Sequence, residues 1–125
     1  MIDIKFRALA DIQTGPNEFV EDFVYGGIYI HDEICKYITT KDFDFIPAKK
    51  DSIGQYTGLK DKNGVEIYEG DIVNCDHDIN EVYYDESDAA FALGFNEFQE
   101  IRLCDVSNSL IEVTGNIYQN PELIK

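Results

Sequence analysis

Positive charge is what this chain has least of. Ten Lys and Arg stand against 25 Asp and Glu in 125 residues, giving a formal charge of −15. Affinity for nucleic acid or for an anionic membrane comes largely from cations that neutralise phosphate, so this balance argues against both roles. No apolar run approaches the ~20 residues of a transmembrane helix. The opening Met1-Ile-Asp-Ile-Lys-Phe-Arg alternates charge with apolar residues and lacks the apolar stretch of a signal peptide. Cysteine is scarce: Cys35, Cys75 and Cys104 are odd in number and far apart. That suits reduced, buried and inert thiols in a cytosol, not a disulfide framework. Tryptophan, internal repeats and low-complexity tracts are also missing.

What remains is globular. At 44% apolar residues, the chain can build a core without staples, and its length fits one domain over residues 1–125. The aromatics are all Tyr and Phe, and with Ile and Val they favour pleated surfaces. Ile2, Ile4, Phe6 and Ala8 alternate with Asp3, Lys5 and Arg7, the pattern of a half-buried strand. Gly15-Pro16-Asn17 is a turn. Phe19 to His31 reads as a hairpin turning at Gly26-Gly27, which sets Tyr25 opposite Ile28, Val24 opposite Tyr29 and Phe23 opposite Ile30. Both faces of that tip are apolar, so Phe23, Tyr25, Ile28 and Ile30 are candidate oligomer contacts.

Downstream, a helical turn is expected near Glu33–Tyr37 and a polar loop up to about Pro47. Short strands follow at Ile53–Thr57, Val65–Tyr68, Ile72–Cys75, Glu81–Tyr84, Ala89–Phe95 and Leu110–Thr114. Turns at Asp61-Lys-Asn-Gly64, Glu69-Gly-Asp71 and Asp85–Asp88 separate several of them. Glu97–Cys104 fits a strand or a helical turn. Asn120-Pro-Glu-Leu123 opens a short helical turn. The fold class is all-β and mainly antiparallel. The spacing suggests a small SH3-like or related barrel with an added N-terminal hairpin and a short C-terminal helical turn.

The chemistry-bearing residues form no recognisable catalytic set. Cys75-Asp-His-Asp78 offers ligand types, but zinc takes four ligands in paired spacings, and the other cysteines are distant. As a calcium loop, Asp76, Asp78 and Asn80 match the first, third and fifth positions. Glu81 then stands where glycine is required, and Ser87 where the closing glutamate belongs. His31 and His77 lie in unrelated contexts, and neither a nucleophile elbow nor a phosphate-binding glycine loop is present. A non-enzymatic protein without cofactor or metal is expected. The acidic residues Asp76, Asp78, Glu81, Asp85, Glu86 and Asp88 follow one another with no Lys or Arg between them. They are the candidate protein contact. A run of this kind is usually a solvated face, and on a hairpin it also discourages edge-to-edge pairing. The sharper alternative is a face for a basic partner, in one form an imitation of a phosphate track that inhibits a DNA-binding protein.

Three stretches carry a family resemblance. QYTGLKDKNGVEIYEGDIV from Gln55 to Val73 resembles the signature of the YopX family of phages and prophages. IKFRA from Ile4 to Ala8 is similar to that family's first strand, and IEVTGNIYQNPEL from Ile111 to Leu123 to its last strand and closing turn. The resemblance implies the cytoplasm of a bacterial host and lends no catalytic residues. In the signature, Thr57, Gly58, Asp61, Asn63, Gly64, Gly70 and Asp71 are turn chemistry, while Tyr56, Leu59, Val65, Ile67, Tyr68, Ile72 and Val73 are core types, so it reads as a folding signature. Two functional classes stay open: a binding or adaptor module with an acidic surface, and a self-associating structural or assembly protein.

Overall fold

The computed structural model describes residues 4–33, 35–41, 44–96 and 99–124. Among these, eleven strands and three short 3-10 turns make up the secondary structure. The strands are β1 (Phe6–Gly15), β2 (Glu18–Ile30), β3 (Lys36–Thr39), β4 (Phe45–Pro47), β5 (Gly54–Lys60), β6 (Glu66–Tyr68), β7 (Asp71–Cys75), β8 (Asp78–Asp85), β9 (Ala90–Asn96), β10 (Gln99–Arg102) and β11 (Ile111–Asn116). Every pairing is antiparallel. The all-β class expected from composition and turn spacing therefore holds. The chain gathers into two compact units, Met1–Gln55 and Tyr56–Lys125.

Unit 1 is a sheet in the order β4-β3-β2-β1, with Gly54 and Gln55 at the head of β5 beside Arg7 and Phe6. Ile2 and Asp3 of the expected first strand lie outside the described residues. The expected Phe19–His31 hairpin does not form, because Glu18–Ile30 is a single strand; the hairpin of unit 1 joins β1 to β2 at the expected Gly15-Pro16-Asn17 turn. Gly15 pairs with Glu18 across Pro16 and a left-handed Asn17 (φ 60°), and proline followed by a left-handed Asn suits a type II turn. β2 then runs straight through Gly26-Gly27. These glycines serve close approach. A Cβ on Gly26 would collide with the Thr39 carbonyl of β3, and one on Gly27 would sit 2.7 Å from Thr39 Oγ1. The predicted pairing of Tyr25 with Ile28 and Phe23 with Ile30 is thereby overturned, since residues at odd and even positions of one strand point to opposite faces.

The expected helical turn near Glu33–Tyr37 is strand from Lys36 onward, and residue 34 lies outside the described residues. Beyond β4 the chain returns to β1. Lys49 N–H donates to the Leu9 carbonyl (2.8 Å), and Leu9 N–H donates to Ser52 Oγ (3.0 Å). Ala8, Ala10 and Ile38, all fully buried, share the covered face.

In unit 2 the remainder of β5 pairs with β6, and five strands form a sheet in the order β10-β9-β8-β7-β11. Its end strands do not pair with each other, so no closed barrel forms among the described residues. The chain between them makes two 3-10 turns, Leu103–Asp105 and Asn108–Leu110, and the first buries Leu103. Register places Val73, Cys75, Val82, Leu93 and Ile111 on one face, where they pack with Ile67 and Leu103. Residues 97 and 98 of the ambiguous Glu97–Cys104 segment lie outside the described residues; Gln99–Arg102 is strand. The closing turn forms as a 3-10 turn over Pro121–Ile124.

The folding reading of the signature is visible in its buried polar residues. Asp61, 4% exposed, accepts from the amides of Asn63 (2.8 Å), Val65 (2.9 Å) and Val113 (2.9 Å), tying the turn to β11. Asp71 accepts from the Tyr68 amide (2.7 Å) and closes the next corner. Asn116 holds the C-terminal turn through the amides of Tyr118 and Gln119.

Candidate functional site

The acidic run does not form one continuous face. Its first part is a tight hairpin. Cys75 pairs with Asp78 across Asp76 and His77, whose φ values of 49° and 77° are those of a primed two-residue turn. Neither residue is glycine, so the turn carries local strain. Replacing His77 with Gly is expected to stabilise the protein by about 1 kcal/mol. The check is a rise in the urea midpoint at unchanged slope.

Along β8, Ile79, Glu81 and Tyr83 point to the face away from the main core, while Asn80 and Val82 point into it. With Gly94 of β9 and Leu123 and Ile124 of the closing turn, they line a groove of about 670 Å³ that also takes in His77 and Asp78. Gly94 leaves the floor low: a Cβ there would come no nearer than 3.8 Å to Tyr83. The lining is mixed: Ile79, Leu123 and Ile124 are its apolar side chains, and His77, Asp78, Glu81 and Tyr83 bring polar groups. Glu81 is half-buried and makes no hydrogen bond or ion pair among the described residues. Burial pushes its carboxyl up from the ordinary value, and the nearby Glu69 carboxylate pushes it further. Such a carboxylate is easier to protonate than an ordinary one, and a cation brought beside it would favour its charged form.

The second part of the run lies elsewhere and is partly spent. Asp85 Oδ1 accepts from the amide and hydroxyl of Ser87 (3.0 and 2.7 Å), so it organises its own loop. Asp88 faces Arg102 of β10 at 4.0 Å, and Arg102 also meets Asp105 at 3.4 Å. Asp85, Asp88, Arg102 and Asp105 share a second, smaller concavity of about 370 Å³. Glu86 is exposed in the loop. The structure thus brings Asp78 and Glu81 into one groove and sets Asp85 and Asp88 in another. Glu69, Leu123 and Ile124 escaped the sequence reading, since nothing in their spacing ties them to β8.

The cysteines differ from one another. Cys75 is buried, and burial with Asp76 and Asp78 beside it pushes its thiol up, away from the reactive thiolate. Cys35 is half-buried and Cys104 exposed, which corrects the expectation that all three are buried. Among the described residues no three His, Cys, Asp or Glu side chains gather as a metal site would require, and no helix is long and apolar enough to cross a membrane.

The four candidate oligomer contacts divide. Phe23, half-buried, and Tyr25, 52% exposed, share one face of β2. Ile28, half-buried, and Ile30, 59% exposed, lie on the other.

A family model described as YopX protein matches residues 5–125. The chain belongs to the YopX family. Among solved structures it is similar to the crystal structure of protein EF1440 from Enterococcus faecalis, with 26% identity, a TM-score of 0.53 and all of each chain covered. No curated protein matches. The three stretches that carried the YopX resemblance all fall within the matched span or overlap its start. In this YopX chain the long signature occupies β5, β6 and the start of β7, and its buried Asp61 and Asp71 hold corners.

Proposed function

We propose that this YopX-family protein is a non-catalytic binding module, of phage or prophage origin, whose groove along β8 takes a basic segment of another protein. The observation that carries this reading is Glu81: a half-buried carboxylate, with Glu69 nearby, in an open groove of mixed polar and apolar lining. Leaving a charge partly desolvated and unpaired costs stability, and a Lys or Arg side chain from outside would supply the missing cation. Ile79, Tyr83, Leu123 and Ile124 would receive the apolar part of the same segment. The raised thiol of Cys75 argues against that residue as a nucleophile beside the groove. Phosphate-track mimicry draws less support, because Asp85 is committed to its loop and Asp88 faces Arg102.

The test uses a short peptide of alternating Lys and Leu, with an acidic peptide of the same pattern as control. The Lys peptide is expected to bind more weakly as salt rises. Glu81→Gln should weaken it roughly tenfold, while Glu86→Gln, in the exposed loop, stays within about twofold. Glu81→Gln should at the same time raise the stability of the free protein. A carboxyl whose folded pKa is raised opposes folding when ionised, so removing its charge relieves that cost. Equal affinity of wild type and Glu81→Gln, or binding indifferent to salt, would reduce the run to a solvated surface.

A further inference from the structure

At the β4 end of unit 1 the sheet carries three aromatic rings around a hollow. Register sets Tyr29 of β2 beside Tyr37 of β3, and Phe45 of β4 opposite Thr39 on the same face. The Tyr29 ring centroid lies 6.2 Å from that of Tyr37 and 5.5 Å from that of Phe45, with planes inclined by 46° and 69°. With His31 these rings line a hollow of about 420 Å³, a volume within the roughly 300–1,000 Å³ of small-molecule sites. Two turns hold the lining in place. His31 N–H donates to the Cys35 carbonyl (2.9 Å) and Asp32 Oδ1 accepts from the Cys35 amide (2.7 Å) between β2 and β3. Thr40 N–H donates to the Asp44 carbonyl (3.0 Å) between β3 and β4. Tyr29 is 48% exposed and Phe45 60% exposed, so both rings remain open to a ligand.

The rings select charge. An aromatic ring is negative on its face, and it attracts a cation within about 6 Å of its centroid. The centroid separations let a single cation reach that range for all three rings. The same sheet face makes this contact once already, where Arg7 lies 4.2 Å over the Phe23 ring. A chain at −15 also draws cations and repels anions before any contact forms.

The lining then selects the kind of cation. Among the described residues that form it, none is a carboxylate. A primary ammonium brings three N–H donors and a guanidinium five, and burying them without acceptors costs stability. A quaternary ammonium has no N–H to satisfy, and its methyl groups present the charge through an apolar surface that rings can cover. The groove along β8, with Glu81 in its lining, suits the opposite case.

We infer that the hollow of Tyr29, Tyr37 and Phe45 is a binding site for a small quaternary ammonium cation of the choline type. An attached phosphate or carboxylate would meet the negative field of the chain, so the ligand is the free cation and not a zwitterionic lipid headgroup. This site stands apart from the groove along β8 and does not depend on it.

The experiment is a titration with choline followed by the backbone amide signals in NMR. Residues 29–31, 37 and 45 are expected to shift together, with a Kd of about 1 mM. Ethanolamine keeps the same alcohol on a primary ammonium, and it should bind roughly tenfold more weakly. The neutral carbon analogue, with a tert-butyl group in place of trimethylammonium, should also lose roughly tenfold. Phosphocholine should bind more weakly than choline. Phe45→Leu keeps apolar bulk but removes a ring, so it should weaken choline roughly fivefold, and Tyr29→Leu likewise. Tyr29→Phe keeps the ring and should stay within about twofold. Circular dichroism checks that each variant is folded, and if Tyr29→Leu is not, the exposed Phe45→Leu decides alone. No shift up to about 20 mM choline overturns the inference, as do shifts centred on Asp78 and Glu81. Equal binding of the neutral analogue reduces the site to an apolar hollow, and equal binding of ethanolamine removes the selection for a quaternary cation. Phosphocholine binding as tightly as choline overturns the free cation in favour of a headgroup.

Discussion

Gly26→Asn is expected to destabilise the protein by about 3 kcal/mol, whereas Gly27→Ala costs about 1 kcal/mol. The two glycines are adjacent, yet they face different obstacles. At Gly26 a Cβ meets the Thr39 carbonyl, which is backbone in β3, a strand paired on both sides by β2 and β4. No rotamer relieves that clash, so the strands must separate. At Gly27 the nearest atom is Thr39 Oγ1, the end of a side chain that can turn away. The Asn substitution also discriminates between two roles for the pair. In a tight primed turn, Asn followed by Gly is among the most favoured pairs and the change would be nearly neutral. In mid-strand against a close neighbour it is severe. Urea denaturation followed by tyrosine fluorescence measures the loss. A Gly26→Asn midpoint equal to wild type would show that β2 turns at these glycines.

That pair also shows where sequence reasoning reached its limit. Glycine records that the backbone needs room or an unusual φ, and a single sequence does not say which. Gly64 and Gly70 were read as turn positions and do take left-handed φ values of 79° and 92°. Gly26 and Gly27 are extended and owe their identity to a strand ten or more residues away, so their signal is tertiary. The local patterns fared better. The strands around the Gln55–Val73 signature, the β8–β9 hairpin with its charged loop, and the closing turn at Pro121 follow from alternation, turn residues and a helix-start signal that act within a few positions. Barrel closure was not legible, because it depends on which end strands meet. The acidic run was legible as composition, but its division was not. Arg102, opposite Asp88, and Glu69, beside Glu81, come from other strands and corners. The Ile79-Glu81-Tyr83 side of the groove could have been read from period-two alternation alone, and its far wall at Leu123 and Ile124 could not.

Asp61→Ala is expected to cost about 4 kcal/mol, the largest loss from any single polar side chain in unit 2. Asp61 sits almost fully buried and accepts three backbone amides, two on Oδ1 and one on Oδ2. Alanine leaves all three donors to find other partners, and the Val113 amide belongs to β11, 52 residues away in sequence. The damage therefore extends from the turn to the sheet. Asn in place of Asp61 keeps one acceptor for Asn63 and Val65 but presents a donor to the Val113 amide, so about half of that loss should remain. The pH dependence separates the lost charge from the lost shape. Burial pushes the Asp61 carboxyl up, but the amides of Val113, Val65 and Asn63 and the Lys62 charge outweigh it and hold the group below the ordinary value of 3.8. A carboxyl depressed in the folded state stabilises above its unfolded pKa, and that contribution is lost as pH falls through the folded pKa. The stability gap between wild type and Asp61→Asn should thus be full at about pH 7 and narrow below the ordinary carboxyl range, as wild type forfeits what the variant never had. Denaturant midpoints of the two proteins across that range measure the gap. A gap that stays constant down to the lowest accessible pH would mean that Asp61 holds the turn by shape alone, without help from its charge.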